Sequence, residues 1–515
     1  MKSVNHKLID RRDFLKVSGF GLGLLLSGCM KPGGRMSVSK RRPNILIAIA
    51  DDHSYLHNGS SFIKTPAFDT VAAKGVLFSN CYCPAPQCSP SRAALLTGRN
   101  IWQLEEAGTH GSGFTAKFQV YPDILEQAGY HIGYTGKPWA PGNWQDFGRT
   151  RNPAGPEYND IMIDNPPTTG ISKIDYASNF EAFLGKRSDD APFCFWFGAH
   201  EPHRQYEYGS GVKAGKQLGS AKLPEFLPDN DITRNDIIDY ALEVEWFDTH
   251  LDRILKTLER IGGLDNTLIV VTADNGMAFP RAKANLYEYG THVPLAIMWA
   301  DEIKGGRVVD DFVSFIDFAP TFLDAAGLNQ TGQMTGKSLL PVLRAKKSGI
   351  VDPDRQWVVT GRERHTHARP DNVGYPCRAL RAGDFLYIFN FKPDRWPAGD
   401  PDGYYDIDGS PSKSFMLENK QQPVFDLAFA KRPEQELYNL AKDRQCLNNL
   451  ACDPQFAELA AKLRSALMDI LKTQKDPRVI GGGDIFESYP RFMNMKEDLP
   501  GFKEQGKYNP AFMIK

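Results

Sequence analysis

Cys88 opens the run Cys88-Ser89-Pro90-Ser91-Arg92-Ala93-Ala94-Leu95-Leu96-Thr97-Gly98-Arg99. A thiol followed by small residues, a proline and an arginine that recurs seven positions later is a poor composition for plain packing and points to chemistry. The plainer reading is a buried structural cysteine at the start of an amphipathic helix, with Ser89 or Ser91 as its cap. Two acidic clusters stand apart from it, Asp51-Asp52-His53 and Asp274-Asn275-Gly276. Paired carboxylates repel each other, and burying them without a partner is costly. A divalent cation removes that cost. Four oxygen-bearing side chains, Asp51, Asp52, Asp274 and Asn275, favour a hard ion such as calcium or magnesium over zinc, and six or more oxygens suit calcium better. Taken singly, the acidic pair could instead cap a helix and Asp274-Asn275-Gly276 could be a turn.

The run from Cys88 to Arg99 resembles the signature of the type I sulfatases, in which a cysteine in C-x-P-S-R followed by T-G-R is converted after synthesis to formylglycine (3-oxoalanine). The resemblance covers nearly all of residues 43–475 and implies an alkaline-phosphatase-like fold. It implies that Asp51, Asp52, Asp274, Asn275 and the formylglycine at Cys88 hold Ca2+, with Mg2+ the lesser alternative. It places Arg92 against the formylglycine hydroxyls and Lys137 and Lys283 on the sulfate; by type alone, both lysines would be taken for solvated surface residues. His203, in His200-Glu201-Pro202-His203, matches the general acid that protonates the leaving group. His53 and His200 read as supporting residues. The chemistry implied is covalent catalysis by a hydrated aldehyde, whose second hydroxyl allows sulfate to be expelled where a plain thiol would leave an adduct with no easy exit. A formylglycine-generating enzyme is then a partner in maturation. One position departs from the pattern: the family's Gly-Lys-x-His is here Gly136-Lys137-Pro138-Trp139, and His110 is the candidate to replace the missing histidine.

Within the family, Phe197 to Arg204, Asp274 to Pro280, Asn285-Leu286-Tyr287 and Gly374-Tyr375-Pro376 with Arg378 resemble the heparan N-sulfatase (sulfamidase) branch. That branch also contains bacterial enzymes acting on other sulfated polysaccharides, algal ones included. The expected substrate is a sulfated polysaccharide or its oligosaccharides, and fold likeness does not choose among them. N-sulfoglucosamine sulfohydrolase activity is one alternative. Phosphodiester or phosphonate monoester hydrolysis on the same fold is another, and a glycan-binding lipoprotein whose Cys88 stays a thiol is a third. Glu363, His365, His367 and Arg369 carry charges and rings suited to an acidic sugar subsite, or form an exposed polar loop.

The N-terminus places Arg11-Arg12 before an apolar stretch from Val17 to Leu26 that is too short to span a bilayer and reads as a targeting segment. The arginine pair resembles a twin-arginine export signal, and Leu26-Ser27-Gly28-Cys29 resembles a lipobox that would lipidate Cys29. The expectation is an exported bacterial protein, periplasmic or at the surface, anchored to a membrane through Cys29. Because twin-arginine export carries folded cargo and maturation needs an extended peptide, modification would precede export.

The elements that must position these residues are legible as patterns. Asn44 to Ala50, Phe193 to Phe197 and Thr267 to Thr272 are apolar runs that read as strands buried on both faces, each ending near the polar groups named above. Val244, Phe247, Leu251, Ile254, Leu255 and Leu258 share one helical face that Gly262-Gly263 terminates, and Tyr121 to Ala128 is a shorter amphipathic piece. Alternating strands and helices imply an α/β fold with a mostly parallel sheet sandwiched by helices, which binds ligands at the carboxyl ends of its strands. Arg344 to Asp354 reads as a boundary. Trp357 to Val359 and Phe385 to Phe389 then suit a smaller C-terminal α+β domain with an antiparallel sheet, followed by a helix from about Pro454 to Lys472. The expected division is signal 1–29, linker 30–42, catalytic domain 43–345, C-terminal subdomain 355–475 and a tail 476–515 with no assigned role. The 515 residues carry 41% apolar side chains and a net charge of −1, enough for a large core and no reason to expect nucleic acid as a partner. Six cysteines besides Cys29 and Cys88 show no zinc spacing, and Cys446 with Cys452 is the first pair to test for a disulfide.

Overall fold

Strand β1 (Asn44–Ala50) is buried along its whole length, as a continuous apolar run requires. The computed structural model describes residues 41–57, 60–188 and 191–514; the signal, Cys29 and nearly all of the linker lie outside them. Six more strands join β1: β2 (Val76–Phe78), β3 (His131–Gly136), β4 (Phe193–Gly198), β5 (Thr267–Ala273), β6 (Leu295–Met298) and β7 (Arg307–Val309). Their spatial order is β3-β4-β1-β5-β6-β2-β7. The four strands β3, β4, β1 and β5 are parallel, with Ile47 opposite Trp196 and Val270. Only β6 runs against its neighbours. Four consecutive carboxyl ends therefore lie side by side at one edge, the place where sheets of this kind bind ligands.

Two helices matter most to that edge. Helix α1 (Cys88–Thr97) is wholly buried and ends at Gly98, whose left-handed φ of 66° lets its N–H close on the Ala94 carbonyl. Helix α2 (Asp231–Arg260) is capped by the Asn230 side chain on the Thr233 N–H and buries Val244, Phe247, Leu251 and Ile254. It stops just before Gly262, where the sequence puts its stop signal.

A separate four-stranded antiparallel sheet follows: β8 (Trp357–Arg362), β9 (Cys377–Ala382), β10 (Phe385–Asn390) and β11 (Gln435–Asn439), in sequential order. Helix α3 (Ala457–Thr473) packs on β9 and β10. The α/β architecture with a smaller antiparallel sheet is thus the one its pattern predicts. The segment that follows β5 packs on the second sheet, for Leu286 and Tyr287 are buried with Tyr375, Leu386 and Tyr438.

The tail is built into this body. Asp476 accepts a hydrogen bond from Arg378 at 2.7 Å, and Arg478 pairs with Glu363 at 2.7 Å. Farther along, Arg364 donates to the Tyr489 and Pro490 carbonyls, and the Phe492 N–H to the Gly111 carbonyl. Cys446 and Cys452, the pair to test first for a disulfide, are free thiols here, the first buried and the second exposed.

Candidate active site

Each strand end delivers its chemistry within a few residues of the last paired position. From β1 come Asp51 and Asp52, from β3 Lys137, from β4 the turn His200-Glu201-Pro202-His203, and from β5 Asp274 and Asn275. Gly136 and Gly198 make this juncture possible. A Cβ on Gly136 would lie 1.9 Å from the Gly198 carbonyl oxygen, and one on Gly198 would lie 2.0 Å from the Lys137 carbonyl oxygen, so side chains there would separate β3 from β4. Asp52 sits at φ 75°, a costly conformation for a residue other than glycine. Its N–H donates to Asp274 Oδ1 at 3.1 Å, which holds the turn in place.

Cys88 enters from α1. Its Sγ lies 3.3 Å from Asp51 Oδ1. Arg92, one helical turn on, donates from Nε to Asp274 Oδ2 at 2.8 Å and from Nη1 to the Lys137 and Pro138 carbonyls at 2.6 and 3.0 Å. Lys137 Nζ pairs with Asp51 Oδ2, and Lys283 Nζ lies 2.7 Å from Asp52 Oδ2. His203 Nε2 lies 3.9 Å from the same Asp52 oxygen, while its Nδ1 is 2.7 Å from the Arg204 carbonyl. A carbonyl only accepts, so Nδ1 carries the hydrogen of the neutral ring and Nε2 faces the site.

Burial and mutual charge separate the acidities. Burial works against ionisation of Asp51, yet Lys137, His203 and Arg92 outweigh it and hold its carboxyl well below the usual range. Burial pushes Asp52 up to about 6 despite Lys283, with the charge on Asp51 adding to the rise. Asp274 reaches about 6 for the same two reasons. Burial, then Asp51, drives the Cys88 thiol well above its ordinary value, so an unmodified Cys88 is protonated and a poor nucleophile. Burial and the neighbouring Lys283 bring His203 down to about 4.

The donor set fits a hard divalent cation. One ligand atom each from Asp51, Asp52, Cys88 and Asp274 lie within 4.8 Å of one another, all buried; the Cys88 sulfur stands where a matured side chain would present oxygen. Asn275 donates to Asp52 Oδ1 at 2.6 Å, but its own Oδ1 is buried without a hydrogen-bond partner among the described residues. A buried carbonyl oxygen left unpaired beside three carboxylates is what a cation site requires of the bare protein.

Above this floor opens a cleft of about 590 Å³, lined by Asp51, Cys88, Lys137, His203 and Lys283 together with His110, His200 and His365. His110 and His365 meet edge to face with ring centroids 4.6 Å apart. Trp139, where the family resemblance leads one to expect a histidine, is not in the lining. Its indole donates to the Ser89 carbonyl at 3.1 Å and packs on Phe114, beneath the wall. His53 is buried against Tyr240, and burial lowers it to about 3, the behaviour of a core residue.

Of the four residues expected to form a sugar subsite, His365 alone reaches the cleft. Glu363 is fully buried between Arg378 and Arg478, Arg369 is paired with Asp406 at 2.7 Å, and His367 accepts a hydrogen bond from the Lys496 N–H. The stretch is structural because its charged groups are satisfied by partners distant in sequence, which composition alone does not reveal. Conversely, Asp408, Ser172 and Met493 line the cleft without any sequence signal, together with Arg204 and Thr366, to which the sequence assigns no role. Asp408 is one aspartate among several between 400 and 408, and Met493 belongs to the tail.

A family model described as Sulfatase matches residues 43–328, more than half of the chain. The chain is 28% identical over 502 residues to the human protein named N-sulphoglucosamine sulphohydrolase, covering 88% of this chain and 94% of that one. It is 26% identical over 481 residues to an ulvan-active sulfatase of Formosa agariphila, covering 90% and 88%. A solved structure in complex with its substrate, D-glucosamine-2-N,6-O-disulfate, superposes with a TM-score of 0.61 at 23% identity, covering 85% of this chain and 99% of that one. The strand-end acids, the cysteine that opens α1 and the cation-lined cleft therefore sit in a chain that belongs to the sulfatase family, and the protein is a sulfatase.

Proposed function

We propose that this sulfatase removes sulfate groups from glycosaminoglycan-type saccharides, using Cys88 matured to formylglycine and a calcium ion held by Asp51, Asp52, Asp274 and Asn275. The observation that carries the reading is the meeting of Cys88 Sγ with Asp51 Oδ1 at 3.3 Å on the floor of a cleft that also presents Lys137, Lys283 and His203. When present, the ion and the aldehyde hydrate supply charge neutralisation and the nucleophilic oxygen. The chain's own residues do the rest. Lys137 and Lys283 give two ammonium groups to sulfate oxygens. Arg92 has a buried Nη2 without a hydrogen-bond partner among the described residues and aims it at the same floor. His203 Nε2 is the nitrogen left to carry a proton to the departing sugar oxygen, and an arriving sulfate anion raises its affinity for that proton.

Support for the carbohydrate class comes from the names of the relatives and of the complexed structure, two of which concern sulfated glucosamine. We extend the proposal to location: Arg11-Arg12 and Leu26-Ser27-Gly28-Cys29 support export and a lipid anchor at Cys29, and the cysteine signature supports a formylglycine-generating enzyme as maturation partner. Labelling with a radioactive fatty acid should mark the wild type and not Cys29→Ser. The functional test is a panel of N-sulfated and O-sulfated glycosaminoglycan fragments and algal saccharides offered to the matured enzyme. Release of sulfate from glycosaminoglycan fragments, abolished by a chelator and restored by calcium, is the expected result. Turnover of aryl phosphodiesters with no sulfate released from any saccharide would overturn the reading in favour of a phosphodiesterase. Saccharide binding with no turnover would favour a glycan-binding protein.

A further inference from the structure

Besides Asp51, which belongs to the metal cluster, Asp408 is the anionic group in the lining of a cleft whose lysines suit an anion. It lines the cavity with Lys137, Lys283, His200 and His203, keeps 27% of its side chain exposed there, and lies with Oδ2 3.2 Å from Lys283 Nζ. Lys283 is thus shared between Asp52 and Asp408. A carboxylate so close to a sulfate pocket is unfavourable for binding a second anion, and the metal cluster does not use it.

The loop that presents Asp408 is clamped on both sides. Two residues before it, Asp406 is buried and paired with Arg362 and Arg369 at 2.7 Å each, and accepts the Thr366 N–H at 2.9 Å. Two residues after it, Ser410 caps the helix Pro411–Glu418, accepting from the Lys413 N–H. Ser412 on that helix donates to Asp236 at 2.5 Å, and Asp236 holds Arg204, itself part of the cleft wall. A carboxylate held on so rigid a mount is placed for recognition, since little conformational freedom is lost when it accepts a hydrogen bond.

We propose that Asp408 is a specificity-determining residue: its exposed carboxylate edge accepts a hydrogen bond from a hydroxyl or N–H donor on the sugar position next to the sulfate being removed, and rejects a sugar carrying a second sulfate there. The proposal rests on the carbohydrate reading above and refines it. Accepting from a neutral donor satisfies the carboxylate, whereas a sulfate in the same place would set two anions together away from bulk water. Discrimination between groups that can and cannot pair with a buried polar site reaches far beyond what one apolar contact gives.

The test compares matured wild type with Asp408→Asn and Asp408→Glu on a monosulfated glucosamine saccharide, the same saccharide with a vicinal second sulfate, and a nitrophenyl sulfate. The ratio of kcat/KM for mono- over disulfated substrate is internal to each preparation, so a loss of folded protein cancels. The ratio should fall about tenfold or more in Asp408→Asn, the change expected from about 1.4 kcal/mol, and stay near the wild-type value in Asp408→Glu. An unchanged ratio in Asp408→Asn, with saccharide turnover intact, overturns the proposal and leaves the carbohydrate reading standing. Wild type that hydrolyses the aryl sulfate and neither saccharide overturns both. Complete loss of aryl sulfate turnover in both variants would assign Asp408 to the chemical step instead and also overturn it.

Discussion

Arg92 Nε and Asp274 Oδ2 are joined at 2.8 Å with both side chains closed to solvent. That bond ties the helix bearing Cys88 to the end of β5, while the same guanidinium holds the Lys137 and Pro138 carbonyls at the end of β3. One side chain therefore registers three segments of the site. Arg92→Met strands Asp274 without its cation, and the expected loss is about 3–5 kcal/mol of stability in urea unfolding, together with turnover. Arg92→Lys cannot reproduce the forked contacts and should fall between the two. A change below about 1 kcal/mol in Arg92→Met would mean that other groups set the register.

His203 should reveal its role through the leaving group. Its Nδ1 is fixed on the Arg204 carbonyl, and Nε2 faces the cleft. His203→Ala should lower kcat/KM on saccharide sulfate esters by about 10²- to 10⁴-fold, the usual worth of general acid catalysis. The loss should be much smaller on nitrophenyl sulfate, whose phenolate departs without help. Equal losses on the two substrates would make His203 a binding residue.

Calcium stabilisation should depend on pH. Asp52 and Asp274 are both raised from 3.8 to about 6, so in the metal-free protein each contributes stability that is present below 3.8 and is lost as pH rises through about 6. A cation that binds the ionised pair offsets that loss, and must displace protons to bind when the pair is protonated. The rise in Tm on adding calcium should be larger near pH 7 than near pH 5. Equal increments at both values would place the bound ion elsewhere.

His57 makes an independent contribution to acid sensitivity. Burial lowers it from 6.5 to about 4, and its ring sits among Phe62, Tyr240 and Tyr289 with no hydrogen bond to either nitrogen among the described residues. A histidine with a depressed value gives stability that is complete above 6.5 and is lost as pH falls through about 4. His57→Phe should flatten the stability profile across that window in chemical denaturation. An unaltered acid limb would show that His57 titrates with a partner the native fold supplies.

The sequence carried the site's skeleton because its parts are local. Asp51-Asp52 and Asp274-Asn275 follow continuous apolar runs, and such runs become interior strands whose ends abut, so β1 and β5 could be foreseen almost residue by residue. Lys137 and Lys283 were recognisable only through family likeness, since a lone lysine carries no local signal of burial. Glu363, His367 and Arg369 misled for a related reason: charged groups in sequence look like a binding surface until their partners, Arg378, Arg478, the Lys496 N–H and Asp406, are brought in from 15 to 129 positions away. Asp408 and Met493 depend on how separate loops fold back over the strand ends, a long-range property that periodicity does not encode. The place of Trp139 beneath the wall follows from its packing on Phe114, which no local pattern encodes.

The most direct test of the central claim is the mass of the peptide containing Cys88, taken from protein co-expressed with a formylglycine-generating enzyme and measured beside sulfate release by the same preparation. The account predicts the aldehyde at position 88 in proportion to activity across preparations of differing maturation. Full sulfatase turnover from protein whose Cys88 remains entirely a thiol would contradict it.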